Sequence, residues 1–275
     1  MCESHASEKE YTMVHAKVLA VRADLRSCLL ERESANENSL LALLSGAHFL
    51  QLGPPGTGKS LLVRAVHLRL EGTVYFEKLM SAFTVPEEVF GPIDLLRYAD
   101  HGEYRRLGQG SLSQAHVGFL DEVYKANSAI LNSLLTLMNE RLVHEVGMPP
   151  QRVPLLSLFA ASNELPQDAS LRALDDRFLL REQVAYVSDE ASFAALIAGR
   201  CDITQVGATL TLDELTAAQQ AVKTVRGTAD VLQALLTLRQ QLSTEGVLVS
   251  DRTWAACGQL LKAKAWLDGQ AEIDR

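Results

Sequence analysis

The segment Gly53-Pro54-Pro55-Gly56-Thr57-Gly58-Lys59-Ser60 fills every specified position of the pattern G-x-x-x-x-G-K-[ST]. A short apolar run, 48–52, precedes it, and a helix-compatible run (Leu61, Leu62, Val63, Ala65, Val66) follows. The residue types follow from the chemistry. Glycines let successive backbone N–H groups turn inward around phosphate oxygens, where a Cβ would stand in the way. The following helix directs its positive N-terminal end at the same anion. Lys59 is expected to reach the β- and γ-phosphates, and the Ser60 hydroxyl to ligate Mg²⁺. Leu61, next in line, is counted with the nucleotide-binding residues. A strand–loop–helix of this kind restricts the chain to folds that deliver a loop to the edge of a parallel sheet.

The rest of the chain fits that restriction. Apolar, β-favouring runs recur at 48–52, 73–79, 116–120, 155–161 and 183–187, separated by helical stretches. Alternation of this sort predicts βαβ units and a parallel sheet in an α/β sandwich. Leu131, Leu134, Leu135 and Met138 stripe one face of a helix that Asn127 or Ser128 can cap. After about residue 188 the β pattern stops. Thr211-x-x-Glu214 reads as a capping box, Val231, Leu235, Leu238 and Leu242 stripe a second helix, and Ser250 caps a third. The expected division is an α/β nucleotide-binding domain over 1–187 and a small all-helical domain over 188–275.

The run 116–120 ends in Asp121-Glu122. A buried parallel strand brings its C-terminal residues to the edge where ligands sit. Asp121 is therefore expected to hold Mg²⁺ opposite Ser60, and Glu122 to polarise the attacking water. The run 155–161 ends in Ser162-Asn163, an uncharged amide suited to water or γ-phosphate; the alternative is a turn-forming Asn. Phosphoryl transfer also calls for a permanently charged fork donor. Arg177 stands just before the last strand, with a salt bridge to Asp175 or Asp176 as its other reading. Arg252 sits in the first turn of a helix, where a cation opposes the dipole, unless it faces solvent beside Asp251.

Composition narrows the field further. The 275 residues are 47% hydrophobic and 22% charged, which supports a sizeable core. No apolar stretch approaches the roughly 18 residues of a membrane span, and the N-terminus lacks the pattern of a secretory signal. The formal charge, 26 − 34 = −8, argues against a nucleic-acid coat. Cys2, Cys28, Cys201 and Cys257 show no metal-ligand spacing and read as reduced thiols of a cytoplasmic protein.

Taken together, GPPGTGKS (53–60), TVPEEVFGPI (84–93), FLDEVYKANSAILNSLLTLMNER (119–141), ASNELP (161–166), LRALDDRF (171–178) and VSDRTW (249–254) resemble a AAA+ ATPase of the MoxR family, and most closely its RavA branch. The resemblance runs from about Val18 to Ala265. It implies ATP as the nucleotide, an αβα core and a helical lid. It puts Asn163 at the sensor 1 position, Arg252 at sensor 2, and Arg177 at the arginine finger that acts on a neighbouring subunit, hence a ring, usually a hexamer. It also implies an insert in the second helix near 83–93 and a β-hairpin over 142–153 with Gly147-Met148-Pro149-Pro150 as its turn. The expected partner is a protein with a von Willebrand factor A domain. RavA-like proteins continue past the lid, whereas this chain stops at Arg275.

The reading that follows is an ATP-driven remodeller of a protein client or metal centre. Two other readings are a nucleotide-dependent assembly adaptor without turnover and a DNA-dependent motor. The acidic balance and the single basic residue of the hairpin, Arg152, weigh against the motor.

Overall fold

The computed structural model describes residues 2–103, 105–144, 149–166 and 169–273. In chain order the helices are α1 (Cys2–Cys28), α2 (Glu33–Ser45), α3 (Lys59–Leu68), α4 (Pro86–Phe90), α5 (Leu95–His101), α6 (Ser128–Glu140), α7 (Ala169–Asp175), α8 (Glu190–Ile197), α9 (Leu212–Thr224), α10 (Ala229–Thr244) and α11 (Asp251–Leu267). The strands are β1 (Phe49–Leu52), β2 (Leu70–Glu71), β3 (Tyr75–Leu79), β4 (Val117–Asp121), β5 (Leu142–Val143), β6 (Gln151–Arg152), β7 (Ser157–Ser162), β8 (Leu180–Gln183) and β9 (Leu210–Thr211). They form two compact units. One comprises residues 48–67 and 73–187; the other comprises the chain up to residue 47, residues 68–72 and everything from 188 onward.

The first of these units is built on a five-stranded parallel sheet of order β3-β4-β7-β1-β8. Its central strands are the most apolar: every residue of β7 is buried, as are four of the five in β4. Continuous burial is the signature of a parallel strand covered on both faces. The register pairs Leu52 with Ser162 and Leu79 with Asp121, so the chain leaves β1, β4 and β7 at one edge. Helix α6 packs Ile130, Leu134 and Leu137 into the core with Leu120 and Leu158. Its N-cap is Asn127, whose side chain accepts the Ile130 N–H at 3.1 Å.

Four expected strands appear within one or two residues of their predicted ends. The fifth does not. Expected at 183–187, it forms at Leu180–Gln183, paired with β1. β8 is an edge strand, and Arg181 and Glu182 on it mask the apolar pattern, as edge strands require. The more apolar residues that follow lie beyond the strand; Val184 is buried and donates its N–H to Leu52 O at 2.7 Å. The two-residue ladder β5–β6 is the expected hairpin stem. Of its expected turn, Gly147 and Met148 lie outside the described residues.

In the second unit, α1 buries Val14, Val18, Val21 and Leu25, a stripe at helical spacing, and contacts α2, α9 and α11. Arg69 is fully buried, with its Nε 2.7 Å from the Asp24 carboxylate, which also accepts the Gly207 N–H. The capping box at Thr211 and Glu214 forms as read, with reciprocal bonds of 3.2 and 3.0 Å. Ser250 caps α11 through the Thr253 N–H. α10 exists as expected, but no residue of it is buried.

Candidate active site

The loop 53–58 leaves β1 and turns into α3 at Lys59. Gly53 is required by close approach: a Cβ there would lie 2.1 Å from Val184 O. Gly56 and Gly58 have φ of +79° and +81°, in the region that favours glycine. No atom comes within 4 Å of a Cβ built on Gly56. Among the described residues, no acceptor takes the N–H of Gly56, Gly58 or Ser60. Thr57 braces the loop by donating to Pro54 O at 2.9 Å, Gln51 donates to Lys59 O at 3.3 Å, and the Tyr186 hydroxyl donates to Pro55 O at 3.2 Å. Open donors, glycines and one cation fit a polyphosphate.

Lys59 is buried. Its ammonium donates to Gly53 O at 2.6 Å, Pro54 O at 3.0 Å and Asn163 Oδ1 at 2.9 Å. Burial pushes its pKa down, and the charges of Asp121 and Glu122 oppose that shift. Asn163 is thereby fixed in one orientation: its carbonyl faces the ammonium while its amide nitrogen donates to Glu122 Oε1. The Lys59–Asn163–Glu122 chain joins three residues that are far apart in sequence.

Asp121 ends β4, and its carboxylate accepts the Glu122 N–H at 3.0 Å. Burial raises its pKa above the ordinary aspartate value. Glu122 has φ 53° and ψ 43°, a left-handed conformation that costs a non-glycine residue on the order of 1–3 kcal/mol. That backbone turns the chain sharply after the strand. Glu122 Oε2 also lies 3.3 Å from Lys125 Nζ, an i,i+3 ion pair across a 3₁₀ turn. A cleft of about 190 Å³ opens beside Glu122 and Asn163.

Ser60 is the second residue of α3 and Leu61 the third; Ser60 is half-buried. Arg177 follows α7 and donates from Nη1 to Ala173 O. Asp175, one of its alternative partners, bonds Tyr124 at 2.5 Å and Arg181 at 2.9 Å. Arg252 is the second residue of α11, exposed, in the other compact unit. Gln51, Lys125 and Tyr186 belong to the surroundings of the site and are absent from the sequence-based set.

Residues 16–223 match the model of the MoxR domain in the MoxR-vWA-beta-propeller ternary systems, and residues 230–275 match an AAA lid domain. Two uncharacterized proteins of Methanocaldococcus jannaschii are each 36% identical to the chain, over 94% and 92% of its length; the chain spans 67% of each. Chaperone MoxR1 of Mycobacterium tuberculosis is 29% identical over 61% of the chain and 44% of its own length. A crystal structure of a Cytophaga hutchinsonii protein superposes with a TM-score of 0.80 at 17% identity, covering all of this chain and 87% of that one. That likeness concerns the fold: a parallel α/β core followed by a helical lid.

Proposed function

The chain belongs to the MoxR family of AAA+ ATPases, and from that premise we propose that it hydrolyses ATP to ADP and phosphate in order to remodel a protein client or a metal centre. The observation that carries this reading is the Lys59–Asn163–Glu122 chain beside the open phosphate loop. Binding alone needs the loop and Lys59; a carboxylate placed next to the sensor amide adds the means of hydrolysis. Ser60 and Asp121 would hold Mg²⁺, which supplies charge neutralisation on the phosphates. Lys59 exchanges its loop carbonyls for phosphate oxygens. Glu122 takes the proton of the water that attacks the γ-phosphorus, and Asn163 keeps that carboxylate aligned. Arg177 acts on ATP bound to a neighbouring subunit, and Arg252 contributes from the lid.

We read residues 1–187 as the ATPase core and 188–275 as the lid, in a ring of six subunits of the RavA branch. The motifs TVPEEVFGPI and ASNELP support that branch. A von Willebrand factor A domain protein is the partner, in line with the systems for which the matched domain model is described, and the cytoplasm is the compartment. Among the described residues, no helix is long and apolar enough to cross a membrane.

The test is Glu122→Gln. The variant is expected to bind ATP as the wild type does and to lose turnover by roughly 10²-fold or more. Unchanged hydrolysis would remove Glu122 from its role. ATP-dependent assembly of the wild type with no turnover, even with its partner, would favour the adaptor.

A further inference from the structure

The unit that carries the phosphate loop has a second polar concavity. A cleft of about 890 Å³ opens between the segment 92–114 and the β5–β6 hairpin, and none of its lining residues belongs to the nucleotide site. Such a volume falls in the upper part of the range, about 300–1,000 Å³, that holds ligands. Among the described residues, four arginines line it, Arg97, Arg105, Arg106 and Arg152, against one carboxylate, Asp94. With Glu103 and Glu87, the partners of Arg97 and Arg106, the described groups sum to 4 − 3 = +1 in a chain whose net charge is −8.

The four arginines are not equally committed. Arg106 is tied to Glu87 at 3.2 Å and to Gly91 O at 2.8 Å, and it fixes the insert. Arg97 lies 3.6 Å from Glu103, with both side chains about half exposed. Asp94 is occupied in capping α5, where it accepts the Arg97 N–H at 3.1 Å. The guanidinium groups of Arg105 and Arg152 have no acceptor among the described residues. Two uncommitted fork donors, one on each side of the same cleft, are arranged for carboxylates. Leu107, Val143 and Pro154 add apolar surface between them.

We propose that this cleft binds an acidic peptide segment of the protein client. The inference rests on the remodelling reading above and names the chemistry of what is remodelled. A short acidic segment presents its carboxylates within the cleft and needs no positive charge elsewhere. A nucleic acid carries a charge every few ångströms along its whole length, and the chain as a whole carries a net charge of −8. The apolar lining suits a peptide with aliphatic residues between its carboxylates and adds nothing for a phosphate backbone.

The probes are a fluorescein-labelled peptide of alternating glutamate and alanine, its lysine–alanine counterpart, and an oligothymidylate of similar charge. They are titrated onto the full chain with Mg-ATP. The glutamate peptide is expected to bind best, more weakly as salt rises. Arg105→Gln with Arg152→Gln is expected to weaken it by roughly tenfold or more, since charge-assisted bonds are stronger than neutral ones. The corresponding lysine pair keeps part of the affinity, and all variants keep the wild-type melting temperature and peptide-free ATP turnover. Equal binding by the glutamine variant, or preference for the oligothymidylate, would overturn the proposal. If the wild type turns over no ATP yet binds the peptide through these arginines, the remodelling reading fails and the cleft assignment stands.

Discussion

Residues acquire their roles here from what faces them. Asn163 in isolation is as good a turn residue as a sensor; the ammonium on one side and the carboxylate on the other support the sensor reading proposed above. Glu31 is a comparable case in the other unit. Its carboxylate accepts the N–H groups of Asp189 and Ser188 at 2.9 and 3.0 Å, and these bonds hold its pKa below the ordinary glutamate value. A lowered folded-state pKa gives stability that is complete above the unfolded value of about 4.3 and disappears as pH falls through the folded one. Glu31→Gln is thus expected to lower the urea midpoint at neutral pH and to converge on the wild type in acid. A deficit of the same size at both pH values would show that the charge plays no part.

At the scale of the element, the phosphate loop combines two kinds of glycine. Gly53 is fixed by packing, Gly56 by conformation and access. Gly53→Ala pushes a methyl group into Val184 O and separates the ends of β1 and β8, an overpacking cost of about 1–3 kcal/mol that thermal unfolding should register. Gly56→Ala meets no atom but holds a Cβ at φ +79°, a strain of about 1–3 kcal/mol, and is expected to weaken nucleotide binding as well as stability. Unchanged nucleotide affinity in a folded Gly56→Ala variant would take Gly56 out of phosphate binding. Elements also explain where the sequence reading succeeded. Thr211 with Glu214 and Asn127 before α6 are local signals, because a cap and its helix lie within a few residues. β8 was misplaced because its polarity reflects its position at the sheet edge, which no local pattern records.

For the whole molecule, the proposed arginine finger makes activity a property of the assembly. Arg177→Ala subunits mixed with Lys59→Ala subunits are expected to regain part of the turnover that each lacks alone, because one intact shared site can form between them. No recovery at any mixing ratio would place Arg177 outside the site. The acidic net charge takes on a second meaning at this scale: against it, the two uncommitted arginines of one cleft are a local reversal rather than part of a general trend. The sequence by itself determined the phosphate loop, the acidic strand end, the α/β class and the capped helices, since each depends on spacing within a few residues or on a period. Only the tertiary structure decided that Lys59, Asn163 and Glu122 touch, that Val184 demands a glycine at 53, that the last strand lies at 180–183, and that Arg105 and Arg152 share a cleft. Those contacts join residues tens of positions apart, and the parallel register that brings strand ends together at one edge is set by packing across the sheet.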